Sequence, residues 1–269
     1  MSIKATDLLR RGASRPVLMG ILNVTPDSFS DGGLWNDPER ARRHALDLVE
    51  QGAGIIDIGG ESTRPGADPV PESEEMSRVI PAIRAIREAT DVPISVDTMK
   101  ASVARASIEA GADIINDVSG LSDPLMASTA AELDVPLVLM NNYGNPKTFK
   151  TDFIKGDILE VAGAYLRARI EMAHDAGVPD HNLILDPGIG FGTTHEQSMV
   201  ILENSSYFGF GRYPTLIGPS RKRFLAQYYP ALERDEATAE ACYVAAVNGA
   251  DILRVHNVAC AAEKLIQRP

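Results

Sequence analysis

Seven polar residues stand where short apolar runs stop: Asn23, Asp57, Asp97, Asn116, Asp186, Ser220 and His256. Polar groups at the ends of strands can line a pocket in which catalytic groups sit. Any single Asp in such a place serves equally well as the cap of the next helix. A series spread along the whole chain needs another explanation. Late in the chain, Ile217-Gly218-Pro219-Ser220-Arg221-Lys222-Arg223 and Leu253-Arg254-Val255-His256-Asn257 gather Ser220, Lys222, Arg254 and His256, groups suited to a phosphate. Asn257 would open the last helix, whose amides also favour an anion. An arginine at a strand end needs a partner anion, either a ligand or a structural carboxylate.

Two long loops add to this set. Residues 25–36 form one, and residues 59–71 form the other, with Gly59-Gly60-Glu61-Ser62-Thr63-Arg64-Pro65-Gly66. Loops of this length in a compact domain tend to be lids or binding loops. Thr63 and Arg64 offer a hydroxyl and a guanidinium fork to a phosphate, although a solvated arginine is the plainer reading of Arg64 alone. In Asp186-Pro187-Gly188-Ile189-Gly190-Phe191-Gly192 the glycines permit close backbone approach to a flat ligand, and Phe191 offers a stacking face. His-x-x-x-His, Cys-x-x-Cys and Gly-x-Ser-x-Gly patterns are missing, which disfavours a tight zinc site and a serine triad.

The elements that must position these groups repeat along the chain. Apolar runs at 17–23, 55–59, 93–97, 113–116, 136–141, 183–186, 215–218 and 252–256 are mostly continuous in Val, Ile and Leu. Continuous hydrophobicity means burial on both faces, as in a parallel sheet covered by helices. Helix-period segments lie between them, at 38–51, 100–110, 123–132, 156–175, 196–203, 236–247 and 258–267. Another, marked by Met76, Val79, Ile80, Ile83 and Ile86, lies between the second and third runs. Gly52, Gly111, Gly177 and Gly249 punctuate helix ends. Eight such units without a low-complexity linker predict an α/β fold, a closed (β/α)8 TIM barrel over residues 1–269 as a single domain. A two-domain dinucleotide-binding fold ranks lower, since no Gly-x-Gly-x-x-Gly follows the first run. In a barrel the carboxyl ends of all strands converge on one mouth, so the seven polar residues would line one pocket.

Bulk composition sets the outer limits. The 269 residues carry a net charge of −11, which disfavours nucleic acid as a partner but leaves room for a small anion held by a few focused cations. No apolar stretch approaches membrane-spanning length, and no export signal is visible, so no membrane partner is expected and a cytoplasmic location is. Cys242 and Cys260 read as buried small hydrophobes in helices rather than a disulfide or metal pair.

The phrases Ile21-Leu22-Asn23-Val24-Thr25-Pro26-Asp27-Ser28-Phe29-Ser30-Asp31-Gly32-Gly33 and Asp57-Ile58-Gly59-Gly60-Glu61-Ser62-Thr63-Arg64-Pro65-Gly66 resemble the dihydropteroate synthases. So do segments 94–100, 114–119, 185–192, 220–224 and 254–258, in order and spacing, over nearly the whole chain. The resemblance implies condensation of 6-hydroxymethyl-7,8-dihydropterin diphosphate with 4-aminobenzoate, and commonly a homodimer. It implies that Asp97, Asn116, Asp186 and Lys222 bond the pterin edge while Met140 and Phe191 bracket the ring. Thr63, Arg64, Arg254 and His256 would hold the diphosphate, with Asn23 a ligand of Mg²⁺. Ser220, Phe29 and Pro65 would help to form the aminobenzoate pocket. Asp97, Lys222, Arg254 and His256 would carry the catalysis.

The chain departs from the family pattern at Asn141 and Asn142, where His-Met is usual, at Thr193 for Lys, and at Ser198 for Asn. Arg223 replaces a small polar residue and Asn257 replaces Asp. Two other readings share the barrel: a methyltetrahydrofolate-binding methyltransferase domain, which has no use for the phosphate-binding motifs, and a catalytically silent pterin-binding paralogue.

Overall fold

All eight apolar runs form strands, and the strands form one ring. A computed structural model describes residues 15–25, 37–62, 69–142 and 153–267. The strands are β1 (Val17–Asn23), β2 (Ile55–Gly59), β3 (Ile94–Asp97), β4 (Ile114–Asp117), β5 (Leu137–Met140), β6 (Leu183–Asp186), β7 (Leu216–Ile217) and β8 (Ile252–Val255). They pair in parallel in the order β6-β5-β4-β3-β2-β1-β8-β7. A parallel bridge between Leu185 and Thr215, with the Leu185 N–H 3.0 Å from the Pro214 carbonyl, joins β6 to β7 and closes the barrel. Every connection is a crossover, as parallel pairing demands. The helices are α1 (Pro38–Glu50), α2 (Glu72–Arg87), α3 (Ala101–Glu109), α4 (Met126–Leu133), α5 (Ile158–Asp175), α6 (His195–Glu203), α7 (Leu225–Tyr228), α8 (Arg234–Val247) and α9 (Val258–Gln267).

Strand periodicity divides the side chains into two sets. Outward residues such as Leu22, Ile56, Ile58, Ile115, Leu139, Leu185 and Leu253 pack under the helices in the main core. Inward residues Met19, Ile55, Ile114, Val138, Ile184, Leu216 and Ile252 form a separate apolar plug inside the barrel. Each fully buried side chain of this size contributes roughly 1.5–3 kcal/mol. Two residues further along most of these strands, the inward position turns polar: Asp57, Asn116, Asp186 and Arg254. The plug thus forms the floor of the mouth, and register alone delivers the polar groups onto it. In that register Asp97 pairs with both Gly59 and Asn116.

Local chemistry sets the helix ends. Asp37 accepts the N–H groups of Glu39 and Arg40 ahead of Pro38, and Thr194 forms a capping box with Gln197. α8 begins at Arg234, two residues before its expected start, because Glu233 caps it reciprocally with Glu236. α4 begins at Met126, later than the periodicity predicts. Asp123 instead makes a turn, accepting the N–H groups of Ala101 and Leu125 through its carboxylate. The one-turn helix α7 had no sequence signal, since four residues cannot display a period. Gly52, Gly111, Gly177 and Gly249 have positive φ, as helix-end glycines do. Cys242 is fully buried, but Cys260 is only partly buried, a correction to its expected burial: it sits near the start of α9 with Sγ 3.5 Å from the Asp235 carbonyl. Among the described residues no helix is long and apolar enough to cross a membrane.

Candidate active site

The site is built around Arg254, on β8. Its Nε donates to Asp57 Oδ2 at 2.5 Å and its Nη2 to Asp97 Oδ2 at 2.6 Å. The partner anion required of a strand-end arginine is therefore a pair of structural carboxylates from β2 and β3. Asn116 on β4 extends the group by donating Nδ2 to both Asp57 oxygens, at 3.3 and 3.4 Å. Asp57 is completely buried and has a partner on each side. Asp97 differs: its Oδ1 is buried and accepts no hydrogen bond among the described residues. A buried carboxylate oxygen left this way is an acceptor for a ligand donor.

Burial sets the charge states. It pushes the Asp97 carboxyl up to about 7, with the nearby Asp57 charge adding to the rise and Arg254 opposing it. Asp186, on β6, is pushed up to about 6 by burial, against the Gly188 N–H that it accepts at 2.8 Å and the Lys222 charge. Lys222 is pulled down to about 8 by burial and the like charge of Arg254, while Asp186 and Asp97 oppose the fall. Burial also acts against the Arg254 charge, but Asp57 and Asp97 outweigh it and hold the guanidinium above its ordinary value. Four mutually dependent charges thus meet at one mouth. Perturbations of this kind cluster where chemistry is done.

A flat face stands beside these charges. Lys222 Nζ lies 4.3 Å from the centroid of the Phe191 ring. A methyl built on Gly190 would come 3.1 Å from Lys222 Cδ, so the glycine turn lies directly against the lysine stem. Met140 ends β5 as a buried inward residue, paired in register with Asp186.

At the junction of β7 and β8, Ser220 Oγ accepts the His256 backbone N–H at 3.1 Å and shares a 2.9 Å hydrogen bond with His256 Nδ1. Ser220 therefore orients the imidazole. Arg221 points away from the mouth and pairs with Asp235 at 2.8 and 2.9 Å. Asn257 donates to the same Asp235 at 3.1 Å and accepts the Cys260 N–H at 3.1 Å, capping α9. Asn141 is buried and clamps the β6 turn, its backbone N–H on the Asp186 carbonyl at 2.8 Å and its side-chain amide on the Pro187 carbonyl at 3.0 Å.

Asn23 closes β1 at the same mouth. A methyl on Gly59 would lie 3.6 Å from both Asn23 Oδ1 and Asp97 Cβ, which puts the amide oxygen and the carboxylate on either side of open backbone. Among the described residues no cluster of three or more His, Cys, Asp or Glu side chains could hold a metal. One amide oxygen at an open mouth fits a Mg²⁺ ion whose other ligands are phosphate oxygens and water. Phe29, Thr63, Arg64 and Pro65 lie outside the described residues.

Sequence reasoning set Asp57 on the ring but gave it no role. It overlooked a buried cluster at the root of the second loop, where Lys100 bonds Glu61 and also Glu75, the latter at 2.5 Å, and Arg78 donates to the Gly60 carbonyl at 2.7 Å. The helix-forming 72–87 stretch carries both Glu75 and Arg78 on its buried face, a charged interruption of the apolar stripe that was open to detection.

A closed parallel barrel with charged and amide groups at the carboxyl ends of its strands defines a (β/α)8-barrel enzyme. Residues 19–256 match the family of pterin binding enzymes. The dihydropteroate synthase of Bacillus subtilis is 47% identical over 247 residues, covering 91% of this chain and 84% of the relative. The structure of Xanthomonas albilineans dihydropteroate synthase with 4-aminobenzoic acid superposes with a TM-score of 0.87 at 41% identity, covering 94% of this chain and 92% of that one. The same organism's enzyme in complex with 7,8-dihydropteroate gives a TM-score of 0.83 at 38% identity, with 94% and 92% covered. The chain belongs to the pterin binding enzymes and, within them, to the dihydropteroate synthases.

Proposed function

We propose that the protein joins 6-hydroxymethyl-7,8-dihydropterin diphosphate to 4-aminobenzoate, giving 7,8-dihydropteroate and diphosphate. The observation that carries this reading is the grouping of Asp97, Asn116, Asp186 and Lys222 around one mouth, with an Asp97 oxygen buried and without a partner among the described residues. A pterin edge supplies what that group lacks: N–H donors for the carboxylates and a carbonyl acceptor for the ammonium. Phe191 and Met140 would bracket the ring from the β6 turn and β5.

In this reading the exocyclic C–O bond breaks, its electron pair leaves with diphosphate, and the electron-rich dihydropterin carries the resulting positive charge. Asp97 stabilises that charge through space. The arylamine nitrogen then bonds to the methylene carbon and gives its proton to solvent. Arg254 and His256, with Thr63 and Arg64, would neutralise the departing diphosphate. Arg254 does so while its Nε and Nη2 hold Asp57 and Asp97, so the leaving group and the cation-stabilising carboxylate share one guanidinium. Bound at Asn23, Mg²⁺ would supply further charge neutralisation to the diphosphate. Ser220 would shape the aminobenzoate pocket mainly by fixing His256, with Phe29 and Pro65 contributing from the loops. The single barrel domain is taken to work as a cytoplasmic homodimer.

The test is direct. Purified protein with the pterin diphosphate, Mg²⁺ and 4-aminobenzoate should release diphosphate and form dihydropteroate in equal amounts. Tight pterin binding with no diphosphate release would overturn the reading.

A further inference from the structure

Two hydroxyl residues behind the glycine turn form a chain with only one sensible proton direction. The Gly190 N–H lies 2.9 Å from Thr193 Oγ1, Thr193 Oγ1 lies 2.9 Å from Ser198 Oγ, and Ser198 Oγ lies 2.8 Å from the Thr194 carbonyl. Each hydroxyl has a single proton to donate. The carbonyl can only accept, so Ser198 spends its proton there, and Ser198 must then accept from Thr193. Thr193 is left with its lone pairs turned to the Gly190 N–H. Both hydroxyl residues are buried, where an unmatched donor or acceptor costs about 1–3 kcal/mol, so the chain is held as a unit.

The amide fixed by this chain is the one immediately before Phe191, and Gly190 is the glycine packed against the Lys222 stem. The turn is tied at its start by the Gly188 N–H on Asp186 Oδ1 at 2.8 Å and the Asn141 side-chain amide on the Pro187 carbonyl at 3.0 Å. Within the turn the Phe191 N–H reaches the Gly188 carbonyl at 3.1 Å, and at its end the Ile154 N–H reaches the Gly192 carbonyl at 2.7 Å. Gly188, Gly190 and Gly192 all stand at positive φ, so the turn has little stiffness from its own side chains. The Thr193–Ser198 pair anchors the centre of the turn, at Gly190, to the rigid start of α6.

We infer that Thr193 is a positioning residue for pterin recognition: its hydroxyl, oriented by Ser198, holds the Gly188–Gly192 turn so that Phe191 and Lys222 face the ring together. The inference rests on the proposed pterin substrate, and the tests below separate the two.

Thr193→Val keeps the shape and removes the hydroxyl; Thr193→Ser keeps the hydroxyl. For Thr193→Val, KM for the pterin diphosphate should rise about tenfold, the equivalent of one hydrogen bond, with kcat and the KM for 4-aminobenzoate little changed. Amide hydrogen exchange at Gly190 should quicken in the same variant, and Thr193→Ser should restore both readouts. Ser198→Ala leaves a Thr193 proton without its acceptor, whereas Thr193→Val/Ser198→Ala leaves none. The double variant should therefore be no worse than Thr193→Val alone. Wild-type KM and wild-type Gly190 exchange in Thr193→Val would overturn the inference, as would a Thr193→Ser variant as impaired as the valine. If no variant or wild-type protein releases diphosphate while Gly190 exchange responds as stated, the substrate reading falls and the anchoring role stands.

Discussion

Arg254 Nη2 sits 2.6 Å from Asp97 Oδ2, although 157 residues separate them in the chain. The contact occupies one carboxylate oxygen and leaves the other buried, with no hydrogen-bond partner among the described residues. Asp97 is therefore held in place by a cation without being saturated by it. Its charge is costly to the folded state, since burial lifts its pKa from 3.8 to about 7. Across that window the native protein binds the proton more tightly than the unfolded chain, so stability falls as pH rises towards about 7.

Asp97→Asn is expected to cut turnover by several orders of magnitude while leaving the fold intact. The same substitution removes the stability loss just described. Above about pH 7, by the linkage argument, its melting temperature should equal or exceed that of the wild type, and the gap should close in acid. Thermal melts across pH, alongside steady-state rates, check both halves. Retained turnover would remove Asp97 from the mechanism.

A bell-shaped dependence of pterin binding on pH should follow from the opposed shifts at the mouth. Asp97 and Asp186 must be charged, which places the acid limb near 6 to 7, and Lys222 must hold its proton, which places the alkaline limb near 8. Arg254 lowers the pKa of all three groups. Arg254→Met should therefore move both limbs to higher pH. A pterin without diphosphate is the proper ligand, so that lost phosphate contacts do not confuse the result. Limbs that stay fixed, or that move in opposite directions, would mean that Arg254 does not set the charge of the site.

Asp57 is expected to matter more for the shape of the site than for contact with substrate. It is completely buried between the Arg254 Nε and Asn116. Asp57→Ala leaves a half-buried guanidinium short of one partner and a buried amide short of its acceptor, a change worth about 3 kcal/mol of stability. Asp57→Asn should cost less stability, because the polar contacts survive, yet weaken pterin binding by loosening both Arg254 and Asn116. Denaturant midpoints and pterin titrations separate these effects. Equal stability in Asp57→Ala and wild type would count against the bridging role.

Much of the frame was legible because burial on both faces writes itself into a strand as an unbroken apolar run. All eight runs became strands, and the seven polar residues at or just after the ends of seven of them came to the same mouth. The run at 215–218 shrank to a two-residue strand, Leu216–Ile217, with Thr215 beside it in the bridge that closes the barrel. Partnerships were not legible. A strand-end arginine announces a need for an anion but not which one, and Asp57 and Asp97 lie 197 and 157 residues away. Asp57 looked like any helix-capping Asp until register set it beside Arg254. The Thr193–Ser198 pair was visible only as two separate departures from a family pattern. Their contact depends on the turn that brings residue 193 back over the first turn of α6.

That turn also permits a comparison between two glycines that are alike in backbone and unlike in surroundings. Gly188 has φ 74° and Gly52 has φ 104°, so alanine is strained at either position. A methyl on Gly52 would meet nothing within 4 Å, whereas a methyl on Gly188 would fall 2.0 Å from the Asn141 carbonyl oxygen. Gly52→Ala should accordingly cost only the left-handed penalty, about 1–2 kcal/mol. Gly188→Ala must also push β5 and the Asp186 turn apart. The Asn141 backbone N–H on the Asp186 carbonyl and its side-chain amide on the Pro187 carbonyl would then be strained together. Its cost should exceed that of Gly52→Ala by several kcal/mol. Where enough folded protein remains, pterin binding should be lost in Gly188→Ala and kept in Gly52→Ala, because only the first moves Asp186. Equal losses of stability at the two glycines would show that the β5 end and the Asp186 turn are not packed against each other as tightly as this contact requires.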